Sequence, residues 1–81
     1  MTVVVKLFSV LRERAGAGQL TLSLPPQSTA GDAAAELVRR HPDLAGPMRS
    51  AAYAVNRVYC RPEAVLADGD ELALIPPVSG G

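Results

Sequence analysis

Apolar and polar residues alternate along the first segment of the chain, which predicts a β-strand from Val3 to Ser9. One face of this strand carries Val3, Val5 and Leu7. The other face carries Val4, Lys6 and Phe8. Because Lys6 marks the second face as solvated, we expect Phe8 to be an exposed aromatic residue.

A second alternating segment runs from Leu20 to Leu24 and ends at Pro25-Pro26. Between the two strands, residues 10–15 are typical of a short helix that Gly16 and Gly18 terminate. The short, glycine-containing connection favours an antiparallel pair.

The main helix is predicted from a capping pattern followed by a 3.6-residue apolar period. Thr29 and Asp32 have capping-box spacing, and Pro42 ends the segment after His41. The apolar face contains Ala30, Ala33, Ala34, Leu37 and Val38. These small residues allow the helix to lie close to a sheet. Residues 47–50 could add one more helical turn.

Two or three further strands are expected, at residues 52–56, 58–61 and 71–75. In the second, Val58 shares a face with Cys60, which predicts that both point inward and that Tyr59 points outward. In the last strand Leu72 and Leu74 point inward, while Ile75 shares the outward face with Glu71 and Ala73.

This element order predicts an α+β fold, with a mixed sheet and one main helix packed across one face. If the first and last strands are central neighbours, Phe8, Tyr59 and Ile75 meet on the open face as an apolar patch. The alternative is that they are three scattered surface hydrophobes.

The last six residues, Pro76-Pro77-Val78-Ser79-Gly80-Gly81, form a segment of different character. Two prolines stop the strand, and two glycines leave the terminal carboxylate free of neighbouring side chains. We therefore divide the chain into a domain at residues 1–75 and a flexible tail at residues 76–81. The alternative is a frayed terminus, which explains the glycines but explains less well the two prolines that precede them.

The amino-acid composition argues against several classes of function. Eight basic and eight acidic residues give a net charge of zero, so neither nucleic acid nor anionic lipid is an expected partner. We expect a cytoplasmic protein, since no signal peptide or membrane span is visible and a lone cysteine suits a reducing compartment.

No residue set suggests catalysis or metal binding by the chain alone. Cys60 lacks an activating neighbour and is interpreted as a small core residue. Asp68-Gly69-Asp70 reads as a turn, and His41 as a helix-terminal residue. We expect no bound metal and no resident cofactor.

Several motifs together resemble the small, sulfur-carrying subunits of molybdopterin synthases. The motifs are Val5-Lys6-Leu7-Phe8, Arg12-Glu13, Ala54-Val55-Asn56, Leu66-Ala67-Asp68-Gly69-Asp70-Glu71 and the Pro-Pro-Val-Ser-Gly-Gly ending. The resemblance spans essentially the whole chain. It implies a ubiquitin-like β-grasp fold.

The resemblance also implies a role for the terminus. Gly81 would be adenylated by an E1-like enzyme that uses ATP and Mg²⁺, and a sulfur donor protein would then convert it to a thiocarboxylate. The tail, through Pro77, Val78, Ser79 and Gly80, would enter a channel in the large synthase subunit. That subunit would use the sulfur to convert cyclic pyranopterin monophosphate to molybdopterin, in a heterotetramer with two carriers.

By position in the family, the contact patch corresponds to Phe8, Tyr59 and Ile75, although Tyr59 and Ile75 depart from the bulkier residues associated with those positions. Two other functions remain open. One is a ubiquitin-like modifier that forms isopeptide bonds through Gly81, and the other is a sulfur carrier for another pathway, such as thiazole or cysteine synthesis.

Overall fold

The computed structural model describes residues 1–77; Val78, Ser79, Gly80 and Gly81 lie outside the described part. Five strands and three α-helices follow one another in it. They are β1 (Thr2–Leu7), α1 (Ser9–Ala15), β2 (Gln19–Ser23), α2 (Ala30–Arg40), α3 (Ala45–Met48), β3 (Ala52–Val55), β4 (Val58–Cys60) and β5 (Glu71–Ile75). None of the helices in residues 1–77 is long and apolar enough to cross a membrane.

The strands form one mixed sheet in the order β2-β1-β5-β3-β4. β1 pairs with β2 in antiparallel orientation and with β5 in parallel orientation. The first and last strands are therefore central neighbours, which is the condition under which Phe8, Tyr59 and Ile75 were expected to meet on the open face. Their inward residues Val3, Val5, Leu72 and Leu74 are completely buried and form the centre of the core.

The main helix begins as its capping pattern predicts. The Thr29 hydroxyl accepts a hydrogen bond from the Asp32 backbone N–H over 3.1 Å, and the Asp32 carboxylate accepts one from the Thr29 N–H over 2.9 Å. Ala30, Ala33, Ala34 and Leu37 are buried against the sheet. The capping box and the apolar face are both confirmed, and α2 packs closely because that face is made mostly of alanine.

Two local expectations are wrong. Val58 does not point into the core with Cys60: it is 68% exposed, because β4 is an edge strand that pairs only with β3 within residues 1–77. The helical turn expected at residues 47–50 instead runs from Pro42 to Met48, as a 3₁₀ turn followed by α3. Pro42 starts this segment, and the burial of Leu44 and Met48 holds it on the core.

The segment after β4 has a role that the sequence pattern did not indicate. It follows the start of α2, where the Ala30 N–H donates to the Ala64 carbonyl over 2.9 Å and the Gly31 N–H donates to the Pro62 carbonyl over 2.8 Å. The Leu66 N–H donates in turn to the Ser28 carbonyl. The bonds from Ala30 and Gly31 satisfy N–H groups that the first turn of a helix leaves without a partner. Together the three bonds hold the segment after β4 against the start of α2.

Candidate functional site

Phe8, Tyr59 and Ile75 line one concavity of about 290 Å³ on the face of the sheet opposite α2. We call this concavity the face cleft. Phe8 is 43% exposed and Tyr59 is 73% exposed, whereas Ile75 is partly buried. The structure thus brings together the three residues that strand parity placed outward; their role in binding a partner stays a prediction.

The cleft is concave because its floor is made of small residues. Ala54 of β3 lies directly opposite Ala73 of β5, and also opposite Tyr59 of β4. Two neighbouring alanines leave a depression between the larger side chains at the rim. Strand parity placed Ala73 on the outward face with Ile75, and the same alternation applied to residues 52–56 could have identified Ala54.

Charged residues border the cleft on one side. Lys6 forms an ion pair with Glu71, with 3.4 Å between Nζ and Oε1, and Arg57 lies nearby on the same rim. The partial exposure of this ion pair means that it contributes little to folding stability. A partner surface that fits the cleft would combine apolar groups with polar groups at its edge.

The turn that carries Arg57 is fixed by hydrogen bonds to the start of β5. Asn56 and Arg57 have φ values of 50° and 71°, a left-handed conformation that suits a tight hairpin turn. The Asn56 carboxamide donates to Asp70 over 3.0 Å and accepts from the Glu71 N–H over 3.0 Å. These bonds connect the β3–β4 turn to the β5 end of the cleft.

The last strand leads from the cleft towards the predicted tail. Ile75 lines the cleft, Pro76 is buried directly after it, and Pro77 is exposed. The chain therefore leaves the domain at the cleft. The predicted tail residues Val78, Ser79, Gly80 and Gly81 lie outside the described residues.

The remaining candidate residues have structural partners. Asp68 accepts a hydrogen bond from the Thr2 N–H, and Asp70 accepts one from the Ala67 N–H, so the Asp-Gly-Asp sequence is a turn, as predicted. His41 caps the end of α2 through its backbone N–H. Cys60 is half-buried and packs against the core. Among the described residues, no three His, Cys, Asp or Glu side chains are grouped as metal ligands.

The fold and its open face together define a class of protein. A β-hairpin, a helix across the sheet, and a last strand placed beside the first are the elements of a ubiquitin-like β-grasp protein. The fold is similar to that of a ubiquitin from Caldiarchaeum subterraneum, with a TM-score of 0.67 over 100% of this chain and 98% of the other, at 20% identity.

The sequence profile of the ThiS family matches residues 5–81. The chain belongs to this family. It is 39% identical to the molybdopterin synthase sulfur carrier subunit of Chlamydomonas reinhardtii, over 100% of both chains. It is also 39% identical to small archaeal modifier protein 1 of Haloferax volcanii, over 94% of this chain and 97% of the relative.

Solved structures agree with these relatives. The crystal structure of SAMP1 from Haloferax volcanii has a TM-score of 0.91, at 34% identity, and each chain covers 100% of the other. A protein–protein complex of subunits 1 and 2 of the molybdopterin-converting factor from Helicobacter pylori contains a chain with a TM-score of 0.72. At 23% identity, over 100% of both chains, that likeness concerns the fold.

Proposed function

We propose that this chain is the sulfur-carrier subunit of a molybdopterin synthase and that Gly81 is the attachment point for sulfur. The observation that carries the proposal is the position of the face cleft directly before Pro76-Pro77, in a chain that matches the ThiS family. A carrier docks on a partner and delivers its terminus to that same partner, so it needs a docking surface and a free terminus on the same side of its domain. The Chlamydomonas relative is named for this role.

The proposed chemistry takes place entirely at the terminal carboxylate. A carboxylate oxygen of Gly81 attacks the α-phosphorus of ATP, pyrophosphate leaves, and a mixed anhydride with AMP forms. The persulfide of a donor protein then attacks the carbonyl carbon and displaces AMP, which gives an acyl disulfide. A second thiol of the donor cleaves the S–S bond, which leaves a thiocarboxylate on Gly81 and a disulfide in the donor. An E1-like enzyme with Mg²⁺ supplies the first step, so the carrier needs no acid or base of its own.

The proposed delivery uses the face cleft and the tail together. Phe8, Tyr59 and Ile75 dock on the large synthase subunit, and six extended residues span roughly 20 Å, enough to reach a buried site. The large subunit supplies catalysis and uses the sulfur to build the dithiolene of molybdopterin from cyclic pyranopterin monophosphate. Two carriers on a dimer of large subunits would give a heterotetramer. We place these reactions in the cytoplasm.

Intact-mass measurement tests the proposal directly. The protein is incubated with ATP, Mg²⁺, the activating enzyme and a sulfur donor, and its mass should rise by the difference between sulfur and oxygen. The loaded protein should then support molybdopterin formation by the large subunit. Cys60→Ala should accept sulfur as well as the unchanged protein does. Loss of loading in a folded Cys60→Ala variant would assign the sulfur to Cys60 instead.

A second candidate function is a ubiquitin-like modifier that joins Gly81 to lysine residues of other proteins. It is favoured by the 39% identity to small archaeal modifier protein 1. The same acyl adenylate can be attacked by a lysine amine, with loss of AMP and formation of an isopeptide bond. Lysine-linked adducts that end in Gly81 would support this function. Sulfur loading without molybdopterin formation would favour a different sulfur pathway.

A further inference from the structure

A second concavity lies on the other side of the sheet, between α2 and the inner face of β3 and β4. It has a volume of about 660 Å³, more than twice that of the face cleft, and we call it the helix–edge groove. Ala34, Ala35 and Val38 of α2 form one wall, while Tyr53 and Cys60 form part of the other. The groove is distinct from the cleft assigned above, although Tyr59 lines both.

The groove exists because α2 presents small side chains to a sheet that extends further than the helix. Ala34 is buried, but Ala35 is exposed and Val38 is only partly buried, so the wall continues out to solvent. The backbone hydrogen bond from the Gly31 N–H to the Pro62 carbonyl holds the start of α2 against the segment after β4, at one end of the groove. Tyr53 is partly buried, and burial raises the pKa of its phenol above the ordinary value, which agrees with a weakly polar surrounding.

The charged side chains that line the groove are basic. Arg49 and Arg61 line it and are both exposed, and no acidic residue within residues 1–77 lines it. The ion pairs formed within residues 1–77 are Lys6–Glu71, Glu36–Arg39 and Glu36–Arg40. Both groove arginines therefore lack a carboxylate partner in this part of the chain. In a protein of zero net charge, the pair forms a local positive surface beside apolar walls.

The sheet also ends at this groove. β4 is the last strand in the sheet order, and its outer edge has no neighbouring strand among the residues described. An edge strand presents backbone N–H and C=O groups that can pair with an added extended chain. Because β4 has three residues, such pairing would be short, and most contact would come from side chains in the groove.

We propose that the helix–edge groove binds an extended segment of a partner protein that carries apolar side chains flanked by carboxylates. The apolar residues pack between α2 and Tyr53, and the carboxylates pair with Arg49 and Arg61. Tyr59 is the one described residue that lines both the groove and the face cleft. The proposal does not depend on sulfur transfer.

Selection from a random peptide display library against the immobilised full chain identifies the preferred ligand. We expect enriched peptides to combine apolar residues with Asp or Glu, and one is then synthesised for titration by NMR. Amide shifts should change around Cys60 and Ala35 more than around Phe8. Enrichment of basic peptides, or no enrichment above background, would overturn the proposal.

Two exposed substitutions make the test specific. Arg61→Glu reverses the rim charge, and Ala35→Leu fills the groove with a residue that favours helix, so both variants should fold. Each should weaken binding of the peptide by about tenfold or more, whereas Arg12→Glu, on α1, should change binding by less than about twofold.

Binding that survives Arg61→Glu and Ala35→Leu but is lost in Phe8→Ala would place the peptide in the face cleft. A concentration-dependent dimer that Ala35→Leu abolishes would assign the groove to a second copy of the chain. Either result would contradict the proposal.

Discussion

The Asn56 carboxamide nitrogen lies 3.0 Å from a carboxylate oxygen of Asp70, and this hydrogen bond joins the β3–β4 turn to the turn before β5. Asp70 also accepts from the Ala67 N–H over 2.8 Å, so its two oxygens connect separate parts of the chain. The same turn binds β1, since the Val4 N–H donates to the Asp70 carbonyl. The geometry of the cleft rim thus depends on a side-chain pair that lies next to it.

Asn56→Asp should destabilise the protein because it removes the donor and places a second carboxylate beside Asp70. We expect a loss of about 1–3 kcal/mol in the free energy of unfolding at neutral pH, measured by urea denaturation. Asp70→Asn in the same chain should recover part of the loss, since the new amide can donate to the carboxylate at position 56. A double-mutant cycle without such recovery would show that the two side chains are not coupled.

A cluster of charges on α2 should make stability depend on pH. Glu36 accepts hydrogen bonds from Arg39 and Arg40, and these bonds lower its pKa from 4.5 to about 2. A carboxylate whose pKa is lower in the folded state stabilises the fold above the unfolded pKa and loses that contribution as the pH falls.

The unchanged protein should therefore be more stable than Glu36→Gln at neutral pH, and the difference should shrink as the pH falls from about 4.5 towards about 2. Unfolding midpoints of the two proteins across this range provide the measurement. Because the arginines are largely exposed, added salt should reduce the difference. A difference independent of pH would mean that Glu36 acts through packing.

The face cleft gives a prediction about binding. Phe8→Ala should weaken binding to the large synthase subunit by about 1–3 kcal/mol, since a partly exposed aromatic residue at a concave surface is typical of an interface anchor. Calorimetric titration measures the change. Val65→Ala is the matched control, because Val65 is 59% exposed and lies outside the cleft. Unfolding of Phe8→Ala with unchanged affinity of the folded fraction would place Phe8 in the core.

Most of the face cleft could be predicted from the sequence, but little of the helix–edge groove could. Parity along the first and last strands predicted that Phe8 and Ile75 point outward. This prediction is correct because both strands are central, so that their inward faces are fully buried. Parity failed for Val58 because β4 is an edge strand and the core does not cover this residue. The contacts between residues 61–66 and α2 join backbone groups, which side-chain patterns do not encode. The groove depends on those contacts, and so it was not predicted.

Gly80→Val tests whether the terminus must pass through a narrow channel. Valine adds a branched side chain next to the reactive carboxylate and removes the conformational freedom of glycine, so it should clash with the walls of a close-fitting channel. Gly80 is not among the residues that form the core or line the face cleft in the described part of the chain, so we expect folding and docking through Phe8, Tyr59 and Ile75 to be unchanged. We therefore expect normal affinity for the large subunit together with a large loss in the rate of adenylation or of sulfur transfer.

Pro77→Ala is a useful comparison, since it removes stiffness without adding bulk near Gly81 and should reduce these rates less. The two rates are measured separately from binding, by AMP release and by intact mass. If Gly80→Val turned over at a near-normal rate in both steps, the terminus would not enter a tight channel, and the delivery step proposed for Gly81 would be wrong.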